Sequence, residues 1–208
     1  MYNIINCIIT KERKAFLRKA ADPIMSFPEL EEKFVSSQKI FDGHIVSLTV
    51  DTVTLPNGAE ATREVVHHPG AVCVVPLTDE GEVICVRQFR YPFSRVTLEI
   101  PAGKLDSKSE DPRKAALREL REETGAVCES LEFIGELYSS PAILGETIHM
   151  YLATGLSFGD CDPDDDEFLT VDRIPLGTLV EKIVSGEICD AKTQAAVLKT
   201  YVKKELGK

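Results

Sequence analysis

From Lys33 onward the chain sets short apolar runs between turn signals. KFVSSQKIF (33–41) and HIVSLTVDTVTL (44–55) are rich in β-branched and aromatic residues and stop at Pro56-Asn57-Gly58, so both read as strands ending at a turn. EATREVVHH (60–68) answers across that turn. AVCVVPL (71–77), the turn TDEG and EVICVRQF (82–89) predict a second hairpin, and VTLEIP (96–101) a further strand. Strands are also expected at LEFIGELYSS (131–140), TIHMYLATGL (147–156) and FLTVDRI (168–174). Their alternation is loose, as in a sheet covered on both faces. Helices are expected through PLGTLVEKIVSG (175–186) and DAKTQAAVLKTYVKKEL (190–206). This order neither alternates strictly nor segregates strands from helices. It predicts an α/β sandwich with helices on both sides of a mixed sheet.

The sharpest local signal lies between Asp111 and Gly125. Asp111 can cap a helix, Pro112 suits its first position, and Gly125 suits a left-handed close. Ala116, Leu117, Leu120 and Thr124 are expected on the buried side by 3.6-residue spacing. Glu119, Glu122 and Glu123 stand at i, i+3 and i+4, on a face offset by roughly 100° from that stripe. Like charges at this spacing repel, and the helix dipole disfavours them near a C-terminus. Two readings are open: a solvated acidic face, or a carboxylate cluster for a hard divalent cation such as Mg²⁺.

Composition narrows the function classes. With 208 residues, 43% hydrophobic and 28% charged, the chain has the make-up of an ordinary globular protein. A net charge of −10 argues against tracking a nucleic-acid backbone, and no apolar run approaches transmembrane length. The six cysteines show no C-x-x-C pair; Cys73 and Cys85 lie in apolar runs, and a reducing, cytoplasmic setting is expected. Residues 1–24 differ from the rest and are read as an upstream extension from a misassigned start codon, against the alternative of a real N-terminal helix.

Residues 103–126 resemble the Nudix box, G-x5-E-x7-R-E-U-x-E-E-x-G-U with U aliphatic. Gly103, Glu110, Arg118, Glu119, Leu120, Glu122, Glu123, Gly125 and Ala126 follow in order, with six rather than five residues between Gly103 and Glu110. REVVHHPGAVCVVPL, VRQFRYP, LEIPAGKLD, SSPAILGE, PDDDEFLTV and DAKTQAAVL are similar to the ADP-ribose pyrophosphatase branch. The resemblance implies an α/β fold: a Nudix α/β/α sandwich with a mixed sheet (69–208), preceded by a small β-rich dimerisation region (25–68). It implies a homodimer acting on a small-molecule nucleoside diphosphate sugar, with no nucleic-acid or membrane partner. The expected reaction is Mg²⁺-dependent hydrolysis of ADP-ribose to AMP and ribose 5-phosphate, with Mn²⁺ as a substitute. The alternatives are ADP-glucose, GDP-mannose or a related sugar as substrate, or a non-catalytic ADP-ribose sensor.

The same resemblance assigns Glu119, Glu123 and Glu122 as metal ligands, joined by the carbonyl of Ala102, with Glu122 also counted in the catalytic set. Arg118 is expected to lock the box loop or to make an ordinary surface ion pair. Glu167, with Asp165 second, is expected as general base on the acidic loop. Arg90, Arg87, Arg63 and Glu146 are expected to contact substrate. Phe41, Phe89 and Tyr91 are the candidates for stacking on the base. Neighbouring His67 and His68 point to opposite sides of a strand and are not expected to share one ion.

Overall fold

The computed structural model describes residues 27–161 and 168–207. The readings of residues 1–24, Asp165 and Glu167 fall outside them. Internal contacts divide the chain into two compact units. One comprises the described residues up to Ser36 with Asp51–Thr62; the other comprises Ser37–Val50 and the described residues from Arg63 onward.

Three N-terminal strands run through both ranges: β1 (Lys33–Asp42), β2 (Ser47–Thr54) and β3 (Glu60–His67). In the smaller unit the expected turn forms. Gly58 donates to the Leu55 carbonyl at 2.9 Å, Leu55 to Ala59 at 2.8 Å, and Ala59 N–H to Asn57 Oδ1 at 3.0 Å. In the larger unit the end of β3 pairs in parallel with a two-residue strand, β9 (Leu144–Gly145), which the hydrophobic pattern did not reveal.

The larger unit is built on β4 (Ala71–Pro76), which is flanked on both edges. Parallel β10 (Thr147–Phe158) lies on one side and antiparallel β7 (Ala102–Lys104) on the other, while β8 (Ala126–Tyr138) continues the sheet beyond β10. This is the mixed sheet expected. Alternate residues of β4 serve two cores. Val72 and Val74 pack with Ala115, Ala116 and Leu120 of α1 (Pro112–Thr124). Cys73 and Val75 pack with residues of α2 (Leu176–Val184) and α3 (Ala191–Glu205), among them Leu179, Ile183, Ala196 and Val197. Because both faces are apolar, the strand lacks a clean in-out pattern. Burial pushes the Cys73 and Cys85 thiols up to about 12, so both behave as inert core groups.

The second hairpin is a correction. The turn after β4 forms, with Thr78 donating to the Glu82 carbonyl at 2.8 Å, but β4 and β5 (Glu82–Arg90) share only the bridge Leu77–Val83. The strands then diverge. β5 joins a second antiparallel sheet between β11 (Leu169–Pro175) and β6 (Arg95–Glu99). β4 has its hydrogen-bonding edges committed to β10 and β7, and Leu77 N–H goes on to the Ala153 carbonyl at 2.9 Å. A strand has two edges, so no ladder to β5 is left to form.

Candidate functional site

Helix α1 begins and ends as its sequence demands. Asp111 caps it by accepting from Arg113 N–H at 2.9 Å, Pro112 opens it, and Gly125 closes it at φ 67°. A Cβ on Gly125 would lie 2.4 Å from the Gly159 carbonyl oxygen, so both conformation and space require glycine. The buried face differs from the expected one. Ala115, Glu119 and Glu123 form one i, i+4 row, and Ala116, Leu120 and Thr124 the next, all buried. Leu117, expected inside, is 39% exposed.

The solvated reading of the glutamates fails at this point. Glu119 is 7% exposed and Glu123 only 2%, which is uncommon for a carboxylate without compensating partners. The chain before the helix supplies one: Ala102 N–H, on β7, donates to Glu123 Oε2 at 3.1 Å. Gly103 supplies space. A Cβ there would lie 2.0 Å from Glu119 Cδ, so the Glu119 carboxylate occupies the place of a side chain at 103.

Arg118 gathers the rest. Its Nη1 donates to Glu119 Oε1 at 2.8 Å and Glu122 Oε2 at 3.0 Å, and its Nη2 lies 3.7 Å from Glu110 Oε1. Glu110 also accepts from Asp106 N–H at 2.6 Å and so closes the loop containing the extra residue. Residues 106–109 are exposed, so the insertion is absorbed in solvent while Leu105 stays buried. Arg118 Nε and Nη2 are buried without a hydrogen-bond partner, which marks a cluster with polar capacity to spare.

Carboxylate oxygens alone make a hard donor set suited to Mg²⁺ or a similar divalent ion. As placed, Glu119 and Glu122 turn toward Arg118, and among the described residues no group of three His, Cys, Asp or Glu side chains converges to hold an ion. The donor chemistry fits the metal, with the guanidinium supplying the positive charge between two of the carboxylates.

Beside Gly103 opens a cavity of about 310 Å³ lined by His68, Arg90, Lys104, Glu146 and Lys192 among others. Arg90, Lys104 and Lys192 bring cationic groups to its wall, beside the carboxylates of Glu146 and Asp190. Behind it lies a network absent from the expected site. Glu99, 2% exposed at the end of β6, accepts from Arg90 Nε at 2.8 Å and Arg90 Nη2 at 2.7 Å. It also accepts from Thr97 Oγ1 at 2.6 Å and from Lys192 Nζ. Lys192 Nζ donates in addition to Asp190 Oδ1 at 3.0 Å, and Asp190 caps α3 through Thr193 N–H. Burial alone would raise the Glu99 pKa, but Arg90, Lys192 and Thr97 hold it down to about 2. The Arg90 pKa is raised chiefly by its hydrogen bond to Glu99, with smaller contributions from the Asp190 and Glu123 charges.

The sequence matches the NUDIX domain over residues 67–189. The chain belongs to the Nudix hydrolase family. Residues 32–66 match a nucleoside diphosphate sugar hydrolase N-terminal domain. The chain is 44% identical over 179 residues to a protein of Bacillus subtilis (strain 168) named ADP-ribose pyrophosphatase, covering 85% of this chain and 96% of that one. It is 45% identical over 169 residues to the methanol dehydrogenase activator of Bacillus methanolicus, covering 80% and 91%. A crystal structure described as an ADP compounds hydrolase superposes with a TM-score of 0.74 at 21% identity, over 86% of this chain and 97% of that one, and bears out the Nudix fold.

The structure gathers some expected residues and separates others. Arg90 and Glu146 line the cavity that holds Gly103; Glu146 accepts from Ser139 Oγ at 2.5 Å and lies 3.4 Å from His68 Nδ1. Arg87, three residues before Arg90, points to the opposite face of β5 and pairs with Asp172 Oδ2 at 2.6 Å. Arg63 is half-buried on β3. His67 bonds Thr49 at 3.0 Å while His68 accepts from Gly70 N–H at 3.1 Å, so the two rings diverge. Phe41, Phe89 and Tyr91 are all exposed. Sequence reasoning missed Glu99, Asp190 and Lys192. Only Asp190 carried a signal, as an N-cap before Ala-Lys-Thr.

Proposed function

We propose that the protein hydrolyses the diphosphate bond of ADP-ribose, giving AMP and ribose 5-phosphate, with Mg²⁺ as its metal and Mn²⁺ as a substitute. The observation that carries this reading is the burial of Glu119 and Glu123 against Gly103 and Ala102, beside a cation-lined cavity. The name of the 44%-identical relative supports the choice of ADP-ribose. Glu119, Glu122 and Glu123, with the Ala102 carbonyl, would hold the metal. When bound, the metal supplies neutralisation of diphosphate oxygens and a water of lowered pKa. Arg90 offers guanidinium N–H groups to a phosphate, in the geometry that suits arginine. Arg118 ties the Glu110 loop to the helix rather than reaching the cavity. Glu167, with Asp165 second, is assigned as the base that takes the water's proton; both lie outside the described residues. Glu146 stays assigned to substrate contact from the cavity wall; Arg87 and Arg63, which do not line that cavity, are assigned to substrate contact outside it.

Residues 25–68 are assigned to dimerisation. All ten residues of β1 are exposed, Phe34, Val35, Ile40 and Phe41 among them, a run of apolar surface suited to a second copy of the chain. Light scattering after size exclusion should give twice the chain mass; the mass of one chain would remove the dimer. For the activity, the purified protein is offered ADP-ribose, ADP-glucose and GDP-mannose with Mg²⁺, and products are separated chromatographically. AMP with ribose 5-phosphate, formed fastest from ADP-ribose, is expected. Preference for another sugar would move the substrate assignment, and a flat response would overturn the enzymatic one.

A further inference from the structure

We infer that Glu99 is a positioning residue that holds Arg90 and Lys192 as a matched pair of phosphate donors, an inference resting on the proposed diphosphate substrate. The Glu99 carboxylate sits inside the protein at 2% exposure, and each of its oxygens is used twice. Oε1 accepts from Arg90 Nε and Thr97 Oγ1; Oε2 accepts from Arg90 Nη2 and Lys192 Nζ. The two-point grip on Arg90 fixes both the distance and the plane of the guanidinium. It uses the Nε–H and one of the two N–H groups of Nη2, and leaves Nη1 with no hydrogen-bond partner among the described residues. Lys192 Nζ gives two of its three donors to Glu99 and Asp190 and keeps one. Both cations line the cavity beside Gly103.

The anchorage is rigid at each end. Thr97 pairs with Gln88 across the β5–β6 ladder, which fixes the hydroxyl that donates to Glu99. Thr193 Oγ1 accepts from Ile100 N–H at 3.0 Å and bonds Asp190 Oδ2 at 2.6 Å, linking the end of β6 to the start of α3. Arg90 and Lys192 therefore come from different elements but are held by one carboxylate. Arg90 is half-buried and Lys192 more deeply covered, and Glu99 and Asp190 hold both in place, so an incoming diphosphate meets donors that are already aimed. Glu99 itself, with all four acceptor positions filled, has nothing left to offer the substrate.

The test is a double-mutant cycle on ADP-ribose turnover. Arg90→Ala should raise KM about 100-fold, and Glu99→Gln about 10-fold or more, each with kcat lowered less than KM. The double variant should fall short of the product of the two effects, because Glu99 acts through Arg90 and, for the remainder, through Lys192; added to Arg90→Ala with Lys192→Met, Glu99→Gln should raise KM by no more than about 3-fold. Multiplying effects, or a wild-type KM in Glu99→Gln, would overturn the inference, since a purely structural carboxylate would lower the folded fraction without moving KM. If Glu99→Gln does not fold, Lys192→Met decides. It removes one donor and leaves the Arg90–Glu99 grip in place, and it should raise KM about 5-fold or more; an unchanged KM would refute the pairing. Should the wild type not turn over ADP-ribose, the substrate reading fails by itself. The same cycle read as ADP binding by calorimetry then still decides the positioning role, by coupling or additivity.

Discussion

Gly103→Ala isolates the geometry of the carboxylate cluster from the stability of the fold. Gly103 is not in the left-handed region, so alanine meets no backbone strain there. Its Cβ would stand 2.0 Å from Glu119 Cδ and Oε1 and 2.4 Å from Oε2. Ordinary contact begins near 3.4 Å, so the Glu119 carboxylate must retreat by about 1.4 Å. The atoms that move are the far end of a flexible side chain, and overpacking of this kind costs about 1–3 kcal/mol. A displacement of about 1 Å in a catalytic group, by contrast, can cost roughly 100-fold in rate. The variant should therefore stay folded, as read by urea denaturation, while AMP formation falls about 100-fold and the Mg²⁺ needed for half-maximal rate rises. Gly177→Ala is the control: it lies in α2 with nothing within 4 Å of the new Cβ, and helix propensity favours alanine there. It should leave activity unchanged. Near-normal turnover in Gly103→Ala would refute the placement of Glu119 at the reacting centre.

Other perturbations test separate parts. Glu122→Gln and Glu123→Gln should each lower turnover by orders of magnitude with the fold intact by circular dichroism; normal rates in both would show the acidic helix to be misassigned. Glu99 titrates near 2 in the fold against an ordinary value of 4.5, so its contribution, roughly 3 kcal/mol, is fully present above pH 4.5 and is lost as pH falls through about 2. Urea midpoints measured between those limits should fall more steeply for the wild type than for Glu99→Gln, and equal slopes would contradict the shift. Leu120→Ala should cost about 2–5 kcal/mol, whereas Leu117→Ala should cost under about 1 kcal/mol, because only Leu120 is buried. Equal costs would mean that the helix is rotated.

How far the molecule could be read from its sequence follows the range of each interaction. Helix α1 was legible because Asp111, Pro112 and Gly125 act on their immediate neighbours. The one error there, Leu117, came from assuming that the apolar positions define the buried face. The structure buries Glu119 and Glu123 instead, since β7 provides Ala102 N–H and the gap at Gly103. The box spacing carried the acidic cluster, and even the loop insertion before Glu110 proved local. Strand pairing was not legible in the same way. A turn at Thr78 forms as predicted, yet β4 and β5 part because the edges of β4 are claimed by β7 and β10 and those of β5 by β6 and β11. The Glu99–Lys192 contact spans 93 residues, so no local pattern could announce it.

The buried carboxylates of α1 are proposed to serve a metal-dependent cleavage of ADP-ribose. The most direct measurement is AMP formation by chelator-stripped protein as MgCl₂ is added back, run beside Glu123→Gln. No AMP is expected without the metal, saturable recovery with it, and near-zero turnover by the variant at every Mg²⁺ concentration. AMP formation by the stripped protein, or full recovery in Glu123→Gln, would contradict this role.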